Sequence, residues 1–415
     1  MKHILMIAYH FPPVRVSSGI QRTLKFCRYL LDHGWTAQIL TVQPRAYEQV
    51  SDGQMQEIPP EVFVTRAFAL DTSRHLAIKG RYVGWMALPD RWVSWCFGGV
   101  LSGLAMVMKH KPKVIWSTYP IATAHLIGLI LHRLTGLPWV ADFRDSMTED
   151  DYPANPKQKK VYQWIEQQTV KHCTNAVFTT PGAIRMYAAR YPEIPENRWA
   201  LIPNGYDEEN FAQAEQSESY RIALTNKDKN RIVLLHSGVL YPSERDPTQF
   251  FQALAELLKA GVIVPGGLKI VLRATGHDDL HRQLIEQHGL QEFVFLEPGV
   301  AYQEALAEML VADGLLIFQA ANCNHQIPAK IYEYLRARRP IFALTDPKGD
   351  TAGVLLEAKI PYVVPLDDRD AIIKELTGFL ELLKSNQALI AGIDNVKRHS
   401  REARTQLLVD LLDAI

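Results

Sequence analysis

Several residues in this 415-residue sequence are of types, and at spacings, that could do chemistry. Lys330 and Glu333 lie in QIPAKIYE (326–333), one turn apart on one face of an expected helix. The free N–H groups of a helix start favour an anion, so a cation and a carboxylate there suit a phosphorylated sugar or a nucleotide. Taken alone, the pair could also be the solvated face of an ordinary βα unit. Arg245 lies in LLHSGVLYPSERDP (234–247), just ahead of another expected helix. A guanidinium can bind pyrophosphate oxygens bidentately and keeps its charge, and Gly238 can make the tight turn before it. It could equally pair with Glu244 or Asp246. Asp142, Arg144 and Asp145 cluster in ADFRDSM (141–147). A carboxylate there could accept a proton from an attacking hydroxyl, or Arg144 could bridge the two aspartates as a structural network. Ser18 and Gly19 close the polar turn in FPPVRVSSGIQR (11–22), where a residue without Cβ lets the backbone approach a phosphate.

Other groups read as structural. His277 and His281 have the i, i+4 spacing of a metal pair, but GHDDLHRQLIEQHG reads as a solvated helix surface. Glu149, Asp150 and Asp151 form an acidic loop without a histidine partner or a D-x-D pattern, so no metal is expected. The basic run KQKKVYQW (157–164) reads as a solvated helix face that, with Arg185 and Arg190, could touch anionic lipid.

Strands alternating with helices must position these residues. Buried strands are expected at 4–8, 36–42, 62–67, 114–117, 139–142 and 176–179, with helices at 20–33, 121–135, 157–172 and 183–190. Residues 206–230 are polar and aperiodic, as expected of an interdomain connection. The alternation then restarts, with strands at 231–236, 269–274, 293–296, 314–318, 341–344 and 361–364. Helices are expected near 247–260, 279–288, 301–312, 328–338 and 351–358, and again at 368–384 and 398–414. Pro328 suits a first helical turn. This pattern predicts parallel sheets covered by helices on both faces, in two Rossmann-like halves with a cleft between their strand ends. The candidate residues all fall at carboxyl ends of strands, where open α/β sheets bind ligands.

Length fits two domains. The 45 basic and 45 acidic residues balance, which argues against nucleic acid as the main partner. The four cysteines have no metal or redox spacing, which fits a reducing cytoplasm. The opening MKHILMIAYHFPP is too quickly polar for a signal peptide and reads as a strand. The apolar run WVSWCFGGVLSGLAMVM (92–108), followed by KHKPK, falls short of the roughly 20 residues of a spanning helix. It is expected to be a buried or interfacial helix, with membrane-surface contact possible in principle.

These motifs together resemble the retaining glycosyltransferases of family four, in the subgroup with a D-F-R-D motif. The resemblance rests on FPPVRVSSGIQR, VIWSTYPIATAHLIGL with PWVADFRDSM, LIPNGYD, HSGVLYPSERDP, and ADGLLIF with QIPAKIYEYLRARRPI, in that order. It implies the GT-B fold: two facing Rossmann-like domains with parallel sheets and a C-terminal helix crossing back to the first. The implied domains are 1–205 for the acceptor and 206–385 for the nucleotide-sugar donor, with 386–415 packing back on the N-terminal domain. Position by position, Ser18 and Gly19 match the turn that meets the donor's phosphates or sugar. Arg245 matches the pyrophosphate-binding cation seven residues after the strand-end glycine, here Gly238. Where a second cation usually follows that glycine the chain has Val239, and Lys330, outside the family pattern, could replace the charge. Glu333 matches the glutamate that binds the ribose hydroxyls. The paired glutamate that contacts the donor hexose falls on His325, which leaves the sugar open. The family's reaction-centre histidine falls on Arg144, which cannot act as a base, so Asp145 or Asp142 would handle the acceptor proton.

The resemblance thus implies a cytoplasmic, metal-independent transferase with a nucleoside-diphosphate sugar as substrate and no cofactor. The acceptor would be lipid-linked or saccharide, in surface polysaccharide or glycolipid biosynthesis, with peripheral membrane contact. In a front-face displacement the leaving diphosphate can itself take the acceptor proton, so stabilising its charge would be the main work. Two rivals share the fold: a nucleotide-sugar epimerase and a non-catalytic binding module.

Overall fold

The long apolar runs become strands buried on both faces, as parallel sheets require. In the computed structural model, which describes residues 1–15, 18–228 and 230–415 apart from the side chains of Ser18 and Asp52, two parallel sheets are formed. The first contains β1 (Lys2–Ile7), β2 (Trp35–Val42), β3 (Phe63–Ala67), β4 (Val114–Thr118), β5 (Trp139–Arg144), β6 (Asn175–Phe178) and β7 (Trp199–Leu201). Their order is β3-β2-β1-β4-β5-β6-β7, so direction along the sheet reverses between β1 and β4, where Ile4 pairs with Val114. The second contains β8 (Ile232–Ser237), β9 (Leu268–Arg273), β10 (Val294–Glu297), β11 (Gly314–Phe318), β12 (Ile341–Leu344) and β13 (Val363–Val364). Its order is β10-β9-β8-β11-β12-β13, reversing between β8 and β11. Strand ends at such reversals are where this class of sheet binds ligands.

The chain divides into two compact units, Met1–Asn204 with Arg401–Ile415, and Gly205–Ser400. In the first, the final helix Arg401–Asp413 buries Leu408 and Leu412 with Ile20, Leu24 and Cys27 of the helix Ser18–Leu30. Asp413 fixes its end, accepting from Lys2 Nζ at 2.7 Å and Trp35 Nε1 at 2.9 Å. The short helix Ile393–Arg398 instead buries Val396 in the core of the second unit, so the helices after 386 divide between the two.

The apolar run becomes the helix Trp95–His110. Its glycines face inward, where a Cβ on Gly99 or Gly103 would lie 2.6 Å from Ile127 or 2.5 Å from Leu131. This close seat on the helix Ala122–Thr135 leaves Phe97 and Leu101 facing outward, 71% and 55% exposed. Among the described residues no helix is long and apolar enough to cross a membrane.

Two expectations are corrected. Residues 206–230 are largely helical, as Glu208–Gln216 and Glu218–Thr225, within the second unit. Asp207 and Ser217 cap them by accepting from Glu209 N and Tyr220 N. Phe211 and Ala214 are buried, and Arg336 reaches Glu208 and Glu215. A segment with so few apolar residues is helical because caps and ion pairs supplement a narrow buried stripe. His281 is likewise fully buried rather than solvated. It shares the inner face of Asp278–Gln287 with Ile285 at i, i+4, and burial holds its pKa low.

Candidate functional site

In the second unit the candidate donor residues converge where β8 ends and the helix Lys330–Ala337 begins. That helix starts two residues later than expected, because Pro328 instead opens the preceding turn, its carbonyl accepting from Ile331 N at 3.0 Å. Gly238 has φ +121°, a conformation open to glycine, and an added Cβ would lie 2.7 Å from Lys330 Nζ. Lys330 therefore occupies the space that a side chain at 238 would need. Its Nζ lies 3.2 Å from His236 Nε2, while His236 Nδ1 lies 2.9 Å from the Leu316 carbonyl. With Nδ1–H donating to that carbonyl, Nε2 carries the lone pair that receives the lysine. His236 is buried, and burial followed by the nearby Lys330 keeps it neutral.

Arg245 donates from Nη1 to the Val239 carbonyl at 2.9 Å and lies over the Tyr241 ring at 5.5 Å. It therefore braces its own loop and forms no ion pair with Glu244 or Asp246 among the described contacts. Asp246 is occupied as a cap, accepting from Thr248 N at 2.9 Å. Ala320 N donates to the Glu244 carbonyl at 2.7 Å and Asn322 to the Ser243 carbonyl at 3.0 Å, which ties the Arg245 loop to the loop after β11. The two cations share one field. Burial first and Arg245 second push the Lys330 pKa down to about 7, and Glu333 opposes them. Two cations whose charges are incompletely balanced form an anion site. Glu333 accepts from Tyr302 Oη at 2.7 Å, which fixes its carboxylate. His325 lies partly buried in a loop braced by Gln319 Nε2, which donates to the Cys323 and Gln326 carbonyls.

The first unit gathers the other candidates at the ends of β1 and β5. Asp142 is fully buried and accepts from Arg22 Nη2 at 2.9 Å, Arg22 Nε at 3.1 Å and Thr118 Oγ1 at 2.9 Å. Arg22 also donates to the Ile202 and Pro203 carbonyls. Arg22, rather than Arg144, thus holds Asp142, no residue bridges Asp142 to Asp145 among the described contacts, and an aspartate so occupied is poorly placed to receive a substrate proton. Arg144 follows a register shift in β5 between Asp142 and Arg144, and its φ is +56°. Asp145 is exposed. Gly19 is buried inside the helix Ser18–Leu30; the side chain of Ser18 lies outside the described residues.

Sequence reasoning missed Arg22, His236, Tyr302 and His10. Arg22 stood inside a quoted motif, yet its buried partner is 120 residues away. His10 lies in the bend three residues after β1, near Arg144. Burial first and Arg144 second lower its pKa to about 4, so it is a neutral base near neutrality. A histidine in or just after an apolar strand was the available signal for both His236 and His10. Arg190, read as a surface cation, instead donates to the buried Glu166 at 2.6 Å. Among the described residues no cluster of three or more His, Cys, Asp or Glu could hold a metal ion.

Comparison with known proteins follows this geometry. Residues 18–205 match the family model described as "Glycosyl transferase 4-like domain". No curated protein matches the sequence. Among solved structures, sucrose-phosphate synthase of Thermosynechococcus elongatus is similar with TM-score 0.66 and 15% identity, covering 100% of both chains. Alr3699/HepE of Anabaena, in complex with UDP, is similar with TM-score 0.66 and 13% identity, again over 100% of both chains. A UDP-GlcNAc 2-epimerase of Methanocaldococcus jannaschii is similar with TM-score 0.59 and 12% identity over the full length of both. The α/β architecture of two parallel sheets is therefore GT-B-like, and residues 18–205 are similar to the glycosyl transferase 4-like domains.

Proposed function

We propose that this protein transfers a sugar, with retention, from a nucleoside-diphosphate donor to a hydroxyl acceptor. The observation that carries the reading is the cation pair Arg245 and Lys330 at the end of β8, with Glu333 one turn along the helix. The pair would hold the diphosphate and stabilise the charge that develops as it leaves. Glu333, held by Tyr302, would take the ribose hydroxyls. Ser18 and Gly19 would meet the donor's phosphates or sugar, and His325 would face the sugar itself. Solved structures of HepE with UDP and with UDP-glucose favour uridine as the base. In this reading residues 1–205 bind the acceptor and residues 206–385 bind the donor, with the final helix Arg401–Asp413 belonging to the first domain. Arg245→Ala is expected to weaken UDP binding by about 1.5–3 kcal/mol, the scale of a charge-assisted hydrogen bond. Unchanged affinity in calorimetry removes Arg245 from the site.

For the acceptor proton, Asp145 and His10 are the candidates, because Asp142 is committed to Arg22. Asp145→Asn is expected to lower kcat by about a hundredfold or more, the usual scale of general-base loss, with donor affinity kept. Wild-type turnover would assign Asp145 no part in the chemistry. The epimerase neighbour supports a second reading on the same donor pocket. Incubating the protein with donor alone separates the two, since only an epimerase converts donor without an acceptor.

The acceptor would be a saccharide or lipid-linked precursor of a surface polysaccharide or glycolipid, met at the cytoplasmic face of a membrane. Support comes from the turn after β3, where Ile78 and Trp85 are 79% and 72% exposed, and from Phe97 and Leu101. Residues 72–113 contain seven Lys or Arg against one acidic residue, Asp90, which is buried, in a chain of zero formal charge. An apolar surface with excess cations suits anionic lipid. The protein is expected to float with phosphatidylglycerol vesicles and not with phosphatidylcholine, and Ile78→Ser with Trp85→Ser should abolish flotation. Flotation unaltered by both substitutions would put the contact elsewhere.

A further inference from the structure

We infer that Arg144 recognises a carboxylate or phosphate carried by the acceptor, so that the acceptor is an anionic sugar. This rests on the glycosyl-transfer reading, with the acceptor on the N-terminal unit.

The backbone at Arg144 is built in a costly way. Strand β5 shifts register between Asp142 and Arg144, and such bulges re-aim the side chain that follows them. Arg144 has φ +56°, the left-handed region that a residue with a Cβ enters at a cost. Thr179 Oγ1 holds that turn by donating to the Arg144 carbonyl at 2.7 Å. The side chain so placed has little to do within the protein. Among the described residues its Nε is buried with no hydrogen-bond partner, and its one hydrogen bond, from Nη1 to the Tyr119 carbonyl, is long at 3.5 Å. A guanidinium offers five donors, so most of them are unspent.

Among the described residues no carboxylate forms an ion pair with this charge. Asp142 is the obvious partner, but Arg22 and Thr118 take its oxygens. Asp145 contributes attraction but makes no ion pair with it among the described residues. His10 is nearby and neutral, and Arg22 repels. Arg144 is half-buried, and a guanidinium partly removed from water without a carboxylate partner is less favourable than one whose ligand supplies it. Carboxylate and phosphate both match its fork. Its site, at the end of β5 beside the exposed Asp145 and near His10, is where an acceptor hydroxyl would be activated. Arg144 is therefore a specificity residue that binds the acceptor's anionic group beside the base.

The test uses the full chain saturated with UDP and three probes of one shape: glucose, glucuronate and glucose 6-phosphate. Thermal-shift titration should show one of the two anionic sugars binding at least about tenfold tighter than glucose, the scale of a charged hydrogen bond. Which one wins separates carboxylate from phosphate. Arg144→Gln should remove that preference, Arg144→Lys should keep part of it, and neither should alter UDP affinity, which also reports that the variants fold. Two results overturn the inference and leave the transferase reading standing: UDP binds but neither anionic sugar outbinds glucose, or the preference survives in Arg144→Gln. A third also overturns it: the wild type prefers UDP-glucuronate over UDP-glucose by a margin that Arg144→Gln removes, while free sugar acids do not bind. That outcome moves the anion to the donor. Failure of the wild type to bind UDP at all would instead sink the transferase reading.

Discussion

Asp142→Ala is expected to destabilise the first unit by about 3–5 kcal/mol, the usual result of removing one partner of a buried ion pair. The substitution leaves the Arg22 guanidinium buried against the Ile202 and Pro203 carbonyls with no counter-charge. Thr118 Oγ1, which donates to the same carboxylate, keeps only the Tyr119 carbonyl at 3.1 Å as acceptor. Such a loss is a large part of the stability of an ordinary domain, so reduced soluble yield and an early denaturant midpoint are the expected signs. A double replacement, Asp142→Leu with Arg22→Met, should recover much of the loss, because apolar residues of similar size often replace buried pairs without cost. The contrast between single and double variants, read in urea melts, tells a structural pair from a catalytic aspartate. If the single variant melts like the wild type and only turnover falls, Asp142 belongs with the chemistry after all.

That pair also shows how far the sequence could be read. The alternation of β-branched runs and amphipathic stretches was enough to place both sheets, because a parallel strand buried on both faces declares itself by continuous apolarity. The candidate cations were legible too, since turns after strands are where such residues collect. What sequence spacing does not carry is partnership across the fold. Arg22 and Asp142 are 120 residues apart, and nothing local distinguishes Arg22 from a solvated helix residue. The helices at 208–225 escaped notice for a related reason: their stability comes from caps and from Arg336, which lies over 120 residues away. The buried His281 failed in the opposite direction, as a polar type on an apolar face. At the donor site the same limit applied, since Lys330 could be suspected as a cation, but its seat against Gly238 and His236 could not.

If Lys330 holds the donor as proposed, that seat makes donor binding a proton-linked event. In the free protein burial and Arg245 lower the Lys330 pKa to about 7, so near neutrality only part of the population carries the charge. A bound diphosphate favours the charged form and raises the pKa again, so binding takes up a proton. Affinity for UDP-glucose should then fall as pH rises above about 7, by up to tenfold per unit until the pKa of the bound state is reached. The stability of the free protein should move the opposite way over the same window. A lysine whose folded pKa lies below its unfolded value of 10.5 binds more protons when unfolded, so stability rises with pH between about 7 and 10.5. Lys330→Met should flatten both trends and remove the proton uptake, which calorimetry in buffers of different ionisation enthalpy reads directly. It should also weaken binding near neutrality, where the wild-type lysine can still be charged by the ligand. Proton uptake and a falling affinity that persist in Lys330→Met would assign the titration to another group, and His236, already neutral and buried, is the wrong candidate. A flat wild-type profile would mean that Lys330 holds its full charge in the free protein, and the cation pair would then need Glu333 as a closer counter-ion than its bond to Tyr302 suggests.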